Sequence, residues 1–550
     1  MAGFDFDLRR VQDDDVREVI VRLLNRVEEL VAENRALREE NGQLRDEVNR
    51  LKGEQGKPVI KPKQPQPAQD DHSSERERHQ PQTWHKSSKQ GRIAIDREET
   101  LKLDPALLPP DAERKGCEHQ VVQDIVLRTD NVLFHREKWY ARSTGKTYVA
   151  PLPAGYSGEF GPGLRSASLA LYYAGQMSEA KILELFRSIG MQISDGGFSN
   201  LLIKGHEGFH GESAAVVVAG LHSSPWQHLD DTGTTVDGQR QYCHILCNPL
   251  YTSYTTLPAK DRLSVVAVLA RWAVRRFRVN AEAQAYLAAV GVAEYVQVAV
   301  RRLPQDQDFE EAAFAALLNE RLAGIGPQQR RWVEDAAAVA AYHAQTVVPV
   351  VRWLLCDDAP QFKGVTEALA LCWVHDGRHY KKLVPYWDHH RQALDDFLGQ
   401  YWGFYDELLA YREAPTGQER ERLAQRFDAL FTTVTGYGQL DERIAKTLAK
   451  KVNLLWVLLH PELPLHNNPA ELGARQRVRK RDVSFGPRTE EGARAWDTFM
   501  TLGETAKKLG VSFYHYLHDT ISGARQMPRL ADLITTRAQE LNLGASWGNA

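Results

Sequence analysis

The sequence predicts an α/β protein: a sheet-based core with helical insertions, entered through an N-terminal parallel coiled coil and a helix-turn-helix-like region. Three observations carry that prediction. Leucine recurs every seventh residue near the N-terminus, the stretch from Trp226 to Pro258 is patterned as three consecutive strands, and a later apolar run, VVPVVRWLLC, ends in paired acids. Length and composition agree. The 550 residues are 43% hydrophobic and 26% charged, enough chain for about three or four folding units. A net charge of -3 excludes a uniformly basic protein but leaves local contact with nucleic acid open. Five cysteines, Cys117, Cys243, Cys247, Cys356 and Cys372, are too few and too scattered for a disulfide scaffold, so a reducing cytoplasm is expected. The N-terminus lacks a signal pattern and no run reaches the roughly 18 apolar residues of a membrane span, so no membrane partner is expected.

Residues 1–52 form the first unit. Leu23, Leu30, Leu37, Leu44 and Leu51 occupy one seam of a heptad, and Ile20, Val27, Asn34, Asn41 and Val48 the other. Leucine at every d position with Asn34 and Asn41 at a favours a parallel dimer in register, and Glu33, Glu40 and Glu47 stand where they reach Arg38, Arg45 and Lys52 of a second helix. Asp13, Asp14 and Asp15 precede the zipper, against a basic-zipper DNA reader. Residues 53–115 are rich in Pro, Gln, Lys and Ser and read as a polar, disordered linker.

Residues 116–220 read as a small domain. VVQDIVLRTD and KTYVAPLP alternate like short strands, and EAKILELFRSIG followed by MQISDGGFSNLLIKG has the spacing of a helix-turn-helix, with a structural helical hairpin as the plainer alternative.

Residues 221–500 read as the core, with helical insertions near 271–345 and 365–465. A strand ending in Asp230 and Asp231, a Val-Asp-Gly turn, two further strands, a helix from Asp261, and a buried strand ending in Asp357 and Asp358 follow one another. That is the order of a ribonuclease-H-like α/β core. Residues 501–550 read as a C-terminal helical region. Arg271, Arg275, Arg276 and Arg278 open the first insertion and offer DNA contact there.

Acids on adjacent strand ends, joined by Glu471 at a helix start, have the chemistry to hold two divalent cations about 4 Å apart for phosphodiester cleavage. Oxygen ligands favour Mg²⁺ or Mn²⁺. Downstream of Glu471, the run Arg475, Arg477, Arg479, Lys480 and Arg481 suits phosphate contact, with a solvated helix face as the alternative. Cys372, His375 and His379 share a helical face without a fourth ligand, so zinc is not expected; Cys243 and Cys247 share a strand face and read as buried packing. No GxxxxGK[ST] loop is present, against ATP-driven chemistry.

Together the zipper, the linker, LDDT, LLCDDAPQF with CWVHDGRHYKKL, and HNNPAELGARQRVRKRDVSFG resemble the transposases of insertion-sequence family sixty-six, a branch of the DDE transposases. The closing stretch, EEGARAWDTFMTLGETAKKLG to FYHYLHD, is similar to the same family. The resemblance implies a ribonuclease-H-like fold and end cleavage with strand transfer of an insertion sequence. It places the catalytic and metal-binding carboxylates on Asp230, Asp357 and Glu471, each aspartate with an acidic neighbour, and implies two Mg²⁺ (or Mn²⁺) ions. It further implies double-stranded DNA as partner, both the element's terminal inverted repeats and target DNA, small accessory proteins of the same element, and a cytoplasmic, nucleoid-associated location. Three features depart from the family pattern: only Cys117 and His119 stand where a cysteine-paired zinc module is usual, Leu472 replaces an arginine after Glu471, and the 271–345 segment is long. The alternative from another class is a catalytically inactive, transposase-derived DNA-binding protein; a structure-specific nuclease on the same core is a third.

Overall fold

The computed structural model describes residues 13–51, 93–104, 117–156 and 158–547. Most of the linker expected at 53–115 lies outside them, as does Lys52. The chain opens on one long helix, α1 (Asp14–Leu51), capped by the Asp13 carboxylate, which accepts from the N–H groups of Asp15 and Val16. Its leucine seam faces outward: Leu23, Leu30, Leu37 and Leu44 are 44–60% exposed, and Asn34 and Asn41 are exposed beside them. A different face, carrying Val21, Leu24, Asn25, Glu28 and Val31, lies against the chain's own body. There Asn25 accepts from Gly438 N–H at 2.9 Å and Glu28 Oε2 meets His390 Nδ1 at 3.2 Å.

Residues 121–130 form no strand, contrary to expectation; Val122, Ile125 and Val126 have no ladder to join and stay exposed. Only the hairpin β1 (Lys138–Ala141) and β2 (Lys146–Val149) is regular here. Four helices follow: α2 (Pro162–Leu169), α3 (Glu179–Ser188), α4 (Asp195–Ile203) and α5 (Glu207–His222). The helix, break, helix expected at 179–203 is present, with Gly190 at φ 92° in the break and Ser194 accepting from Gly197 N–H at 3.1 Å to start α4.

Next come β3 (Trp226–Val236), β4 (Gln239–Asn248), β5 (Tyr251–Leu257) and α6 (Arg262–Ala270), capped by Asp261. β3 does not end at its acids. It continues to Val236 because Asp237 and Gly238 both take positive φ, 49° and 72°, the mirror-image turn that matches strand twist. The segment after α6 holds β6 (Arg276–Arg278), α7 (Ala281–Ala289), α8 (Glu294–Arg301), β7 (Asp308–Glu310), α9 (Glu311–Arg321) and α10 (Pro327–Ala344). The expected all-helical insertion therefore contains a two-stranded ribbon, and two of its four arginines are paired inside it: Arg278 with Asp308 at 2.6 Å and Arg275 with Glu311 at 3.2 Å, while Arg276 is exposed.

The chain then returns to the sheet through β8 (Trp353–Cys356) and β9 (Ala368–Leu371), the latter lying in text read as helical. The order is β5-β4-β3-β8-β9, antiparallel across the first three strands and parallel across the last three. Helices α11 (Trp373–Lys381), α12 (Asp388–Glu413), α13 (Gly417–Phe431), α14 (Gly438–Leu448) and α15 (Lys451–Leu454) follow. The chain closes with α16 (Asn468–Ser484), α17 (Glu490–Lys508), α18 (Phe513–Ser522) and α19 (Leu530–Leu541). α17 runs unbroken through the position 500/501 at which the sequence suggests a boundary.

α17 explains how the sheet tolerates β5 as an edge. Asp497, Thr501 and Thr505, one helical turn apart, accept the N–H groups of Thr256, Tyr254 and Thr252, one strand repeat apart, at 2.7, 3.0 and 3.2 Å. Groups that an open edge would offer to another chain are satisfied within this one.

Candidate active site at the centre of the sheet

The site follows from strand period and register. Trp226, His228 and Asp230 share one face of β3, and Trp353 and Leu355, with Asp357 next in period, share the same face of β8. The parallel register ends by pairing His228 with Leu355; Asp230 and Asp357 each follow two residues later, near enough that the charge of Asp357 acts on Asp230.

α16 lies on that face. Asn467 docks its start, donating to the Leu229 carbonyl at 2.9 Å and bonding His228 Nδ1 at 3.0 Å, and Pro469 lies in its first turn. Ala470 and Ala474 pack with Cys243, Ile245 and Cys247 of β4, which are buried as expected. Gly473 permits this contact, since a Cβ there would lie 2.7 Å from Ile245 Cγ2. Glu471, in the first turn, is thereby held over the strand centre.

Each aspartate pair splits. Asp231, on the opposite face, meets Lys260 Nζ at 3.3 Å and Gln361 Nε2 at 3.1 Å. Asp358 is paired with Lys450 at 2.8 Å and Lys363 at 3.0 Å. Among the described residues no ion pair reaches Asp230 or Asp357; Asp357 accepts only the N–H of Ala359, at 3.0 Å. Burial raises the Asp230 carboxyl to about 7, and the negative charges of Asp231, Asp357 and Glu471 push the same way. The Asp231 N–H, 2.9 Å from Asp230 Oδ1, offsets part of this.

Glu471 carries positive company from α11. Arg378 donates to its Oε2 at 2.9 Å and to His375 Nε2 at 3.1 Å, and His375 Nδ1 lies 3.5 Å from Glu471 Oε1. Burial lowers the His375 pKa, which favours the neutral ring, while the charge of Glu471 opposes this. A cavity of about 1050 Å³ opens beside Asp357, lined by Cys372 and His375 and by Lys363, Lys382, Lys446 and Lys450.

The basic run on α16 divides in two, and for two of its five residues burial rules out phosphate contact. Arg477 is fully buried, paired with Asp497 at 3.1 Å, bonded to Thr256 Oγ1 at 2.8 Å and stacked 4.9 Å from the Trp496 ring centre. Lys480, equally buried, sits 3.2 Å from the Tyr172 ring centre, and burial lowers its pKa to about 7. Arg475 and Arg479 are exposed, and Arg481 donates to the Gly233 carbonyl at 2.6 Å. The signal for the buried pair was present: Ala470, Gly473 and Ala474 mark an inward face on which Arg477 and Lys480 fall. Asn467, His228 and Asp497 carry no comparable signal.

Residues 341–495 match the transposase IS66 family, a stretch that holds Asp357 and Glu471 but not Asp230. An uncharacterized protein, y4jO, of Sinorhizobium fredii (strain NBRC 101917 / NGR234) is 29% identical over 329 residues, covering 58% of this chain and 99% of its own. No solved structure matches. This stretch of the chain is thus similar to the IS66 family of transposases, as its motifs suggest. No helix among the described residues is long and apolar enough to cross a membrane.

Proposed function

We propose that this chain is a DNA transposase that cleaves phosphodiester bonds at the ends of an insertion sequence and joins the freed ends to target DNA. One observation carries the reading. Of the two aspartates that lack a lysine, Asp230 and Asp357, the first feels the charge of both the second and Glu471, and the five-stranded mixed sheet that carries them, three antiparallel strands followed by two parallel ones, supports a ribonuclease-H-like reading.

The residues fit a pair of hard divalent cations. Burial is the main cause of the raised Asp230 carboxyl and the charges of Asp231, Asp357 and Glu471 add to it; bound positive charge would relieve both. Asp230, Asp357 and Glu471 would hold Mg²⁺ or Mn²⁺, which when bound supplies activation of the attacking water or 3′ hydroxyl and charge stabilisation on the leaving oxygen. The protein's own share is positioning. Asn467 and Gly473 fix α16 on β3 and β4, Arg378 orients Glu471, and the lysine pairs on Asp231 and Asp358 leave the other two acids for the cations.

DNA phosphate is assigned to Arg475 and Arg479 on the outer face of α16 and to the lysines of the neighbouring cavity. The outward seam of α1 is assigned to a second copy of the chain. Leu23, Leu30, Leu37, Leu44 and Leu51 at d with Asn34 and Asn41 at a specify a paired parallel helix, and two element ends held together need two such bodies. Small accessory proteins of the element and residence on nucleoid DNA belong to the same reading.

The test is nicking of a plasmid bearing the sequences that flank this gene, with Mg²⁺, followed by end joining. Wild type nicks and joins, and Asp357→Asn does neither. Binding to the flanks without nicking by wild type would instead favour a non-catalytic DNA-binding protein, and nicking without joining a nuclease.

A further inference from the structure

Beside the three carboxylates lies a second donor set of different chemistry. Cys372 caps α11, His375 follows one turn on, and Glu471 approaches from α16; each offers a ligand atom within 4.8 Å of the others. Among the described residues this is the one such group, and His379, which the sequence places on the same face, is not part of it. His375 Nδ1 and Glu471 Oε1 are both buried and both lack a hydrogen-bond partner, 3.5 Å apart. That is too long for a good hydrogen bond and close to the roughly 3.3 Å between nitrogen and oxygen donors on one tetrahedral ion with bonds of about 2.0 Å. Buried polar atoms left in this state call for an explanation, and an ion between them is one. Outer contacts already aim the donors inward: Arg378 holds Glu471 Oε2, and Asn467 N–H points at Cys372 Sγ from 3.2 Å.

We propose that Cys372 Sγ, His375 Nδ1 and Glu471 Oε1 bind one transition-metal ion of the zinc class, with its fourth position open to the cavity that Cys372 and His375 line. Sulfur and nitrogen donors discriminate against Mg²⁺, so this is a site distinct in chemistry from the proposed carboxylate pair. On binding, the Cys372 thiol gives its proton to solvent. In the metal-free site the Arg378 contact to Nε2 leaves the ring proton of His375 on Nδ1; on binding, Nδ1 gives that proton to solvent and Nε2 takes one up, so Arg378, whose side chain is 40% exposed, turns from the ring while retaining Glu471. Glu471 is shared, so a zinc-class ion and a hard cation compete for it; that consequence rests on the proposed function, whereas the site does not.

Cobalt(II), added to full-length protein stripped with a chelator, tests the site. Wild type is expected to bind one equivalent with a near-ultraviolet thiolate-to-cobalt band and strong visible tetrahedral bands. Cys372→Ser abolishes the thiolate band, His375→Ala weakens binding at least about tenfold, and His379→Ala leaves the spectrum unchanged. A wild-type protein without the thiolate band, or a band that survives in Cys372→Ser, overturns the proposal. If Cys372→Ser does not fold, as judged by circular dichroism, the His375→Ala titration decides: unchanged affinity overturns it. Mg²⁺-dependent nicking in a protein without the cobalt band would leave the transposase reading standing and remove this one.

Discussion

At the centre of β3, Asp231 faces Lys260 and Gln361, while Asp230, one residue earlier, faces α16; at the end of β8, Asp358 holds Lys363 and Lys450, while no ion pair among the described residues reaches Asp357. Both pairs divide labour the same way. On β3 neighbouring residues point to opposite faces, so Asp230 and Asp231 meet opposite environments; Asp357 and Asp358 follow the end of β8 and line one cavity, where the lysines pair with Asp358. One acid of each pair is neutralised locally and serves the fold. Its neighbour is left with uncompensated charge, a state that costs stability and is retained where a cation is to be held.

The sharpest way to break this comparison is to neutralise each acid in turn. Asp230→Asn and Asp357→Asn are expected to lower Mg²⁺-dependent single-turnover nicking by at least ~10³-fold, equivalent to about 4 kcal/mol of barrier. Asp231→Asn and Asp358→Asn are expected to cost less than about tenfold. Equal losses within either pair would mean that the lysine contacts do not mark the structural member.

The two faces of α16 extend the contrast from acids to bases. Arg477→Ala leaves Asp497 without its buried partner and opens the junction of α16, α17 and β5, for an expected loss of about 3–5 kcal/mol in urea unfolding. Arg479→Ala, on the exposed face, is expected to stay within about 0.5 kcal/mol. An Arg477→Ala protein of normal stability would remove the argument that this residue is structural.

How legible these contrasts were in the sequence depends on whether the deciding contact was local. The zipper helix, the Ser194 cap and the hairpin at Asp237-Gly238 are set by neighbours in the chain, and their patterns show it. So are three strands between Trp226 and Leu257, where alternation and β-branched residues agree. β9 was not legible, because ALAL is four apolar residues whose partner, β8, is supplied by the fold. The burial of Arg477 and Lys480 was legible only in the helical period they share with Ala470, Gly473 and Ala474; the rings of Tyr172 and Trp496 that meet their charges come from distant segments and were not legible. The second face of α1 was hidden for a like reason: Glu28 and Asn25 look like solvent-facing heptad positions until His390 and Gly438 arrive from far along the chain. The site carboxylates were nameable one by one, but the lysines that tell the members of each pair apart come from distant segments.

A gentler test uses pH. In the absence of divalent cations the Asp230 carboxyl is raised from its ordinary 3.8 to about 7, so between these values the folded protein keeps a proton that the unfolded chain has released. The stability this group contributes is therefore full below about pH 4 and falls as pH rises to about 7, by at most about 4 kcal/mol. Asp230→Asn is expected to flatten that decline in thermal unfolding, and Asp231→Asn to leave most of it. A wild-type curve that rises over this window without Asp230 contributing would contradict the assignment of the strained acid.

The smallest expected effect concerns what brings Glu471 to the strands. Gly473 lets α16 pack closely on β4, and an added methyl would meet Ile245 Cγ2 at 2.7 Å. In an exposed helix Gly→Ala stabilises, by up to about 1 kcal/mol; here the overlap is expected to reverse the sign and cost about 1–3 kcal/mol. Because Ile245 pairs directly with Asp230 across the ladder, lifting α16 also separates Glu471 from Asp230. Gly473→Ala should therefore need a higher Mg²⁺ concentration for half-maximal nicking, and Ile245→Ala, which removes the Cγ2 methyl that the new Cβ would meet, should restore part of it. A stabilised Gly473→Ala protein with unchanged Mg²⁺ dependence would show that the close packing of helix on sheet does not set the position of the third carboxylate.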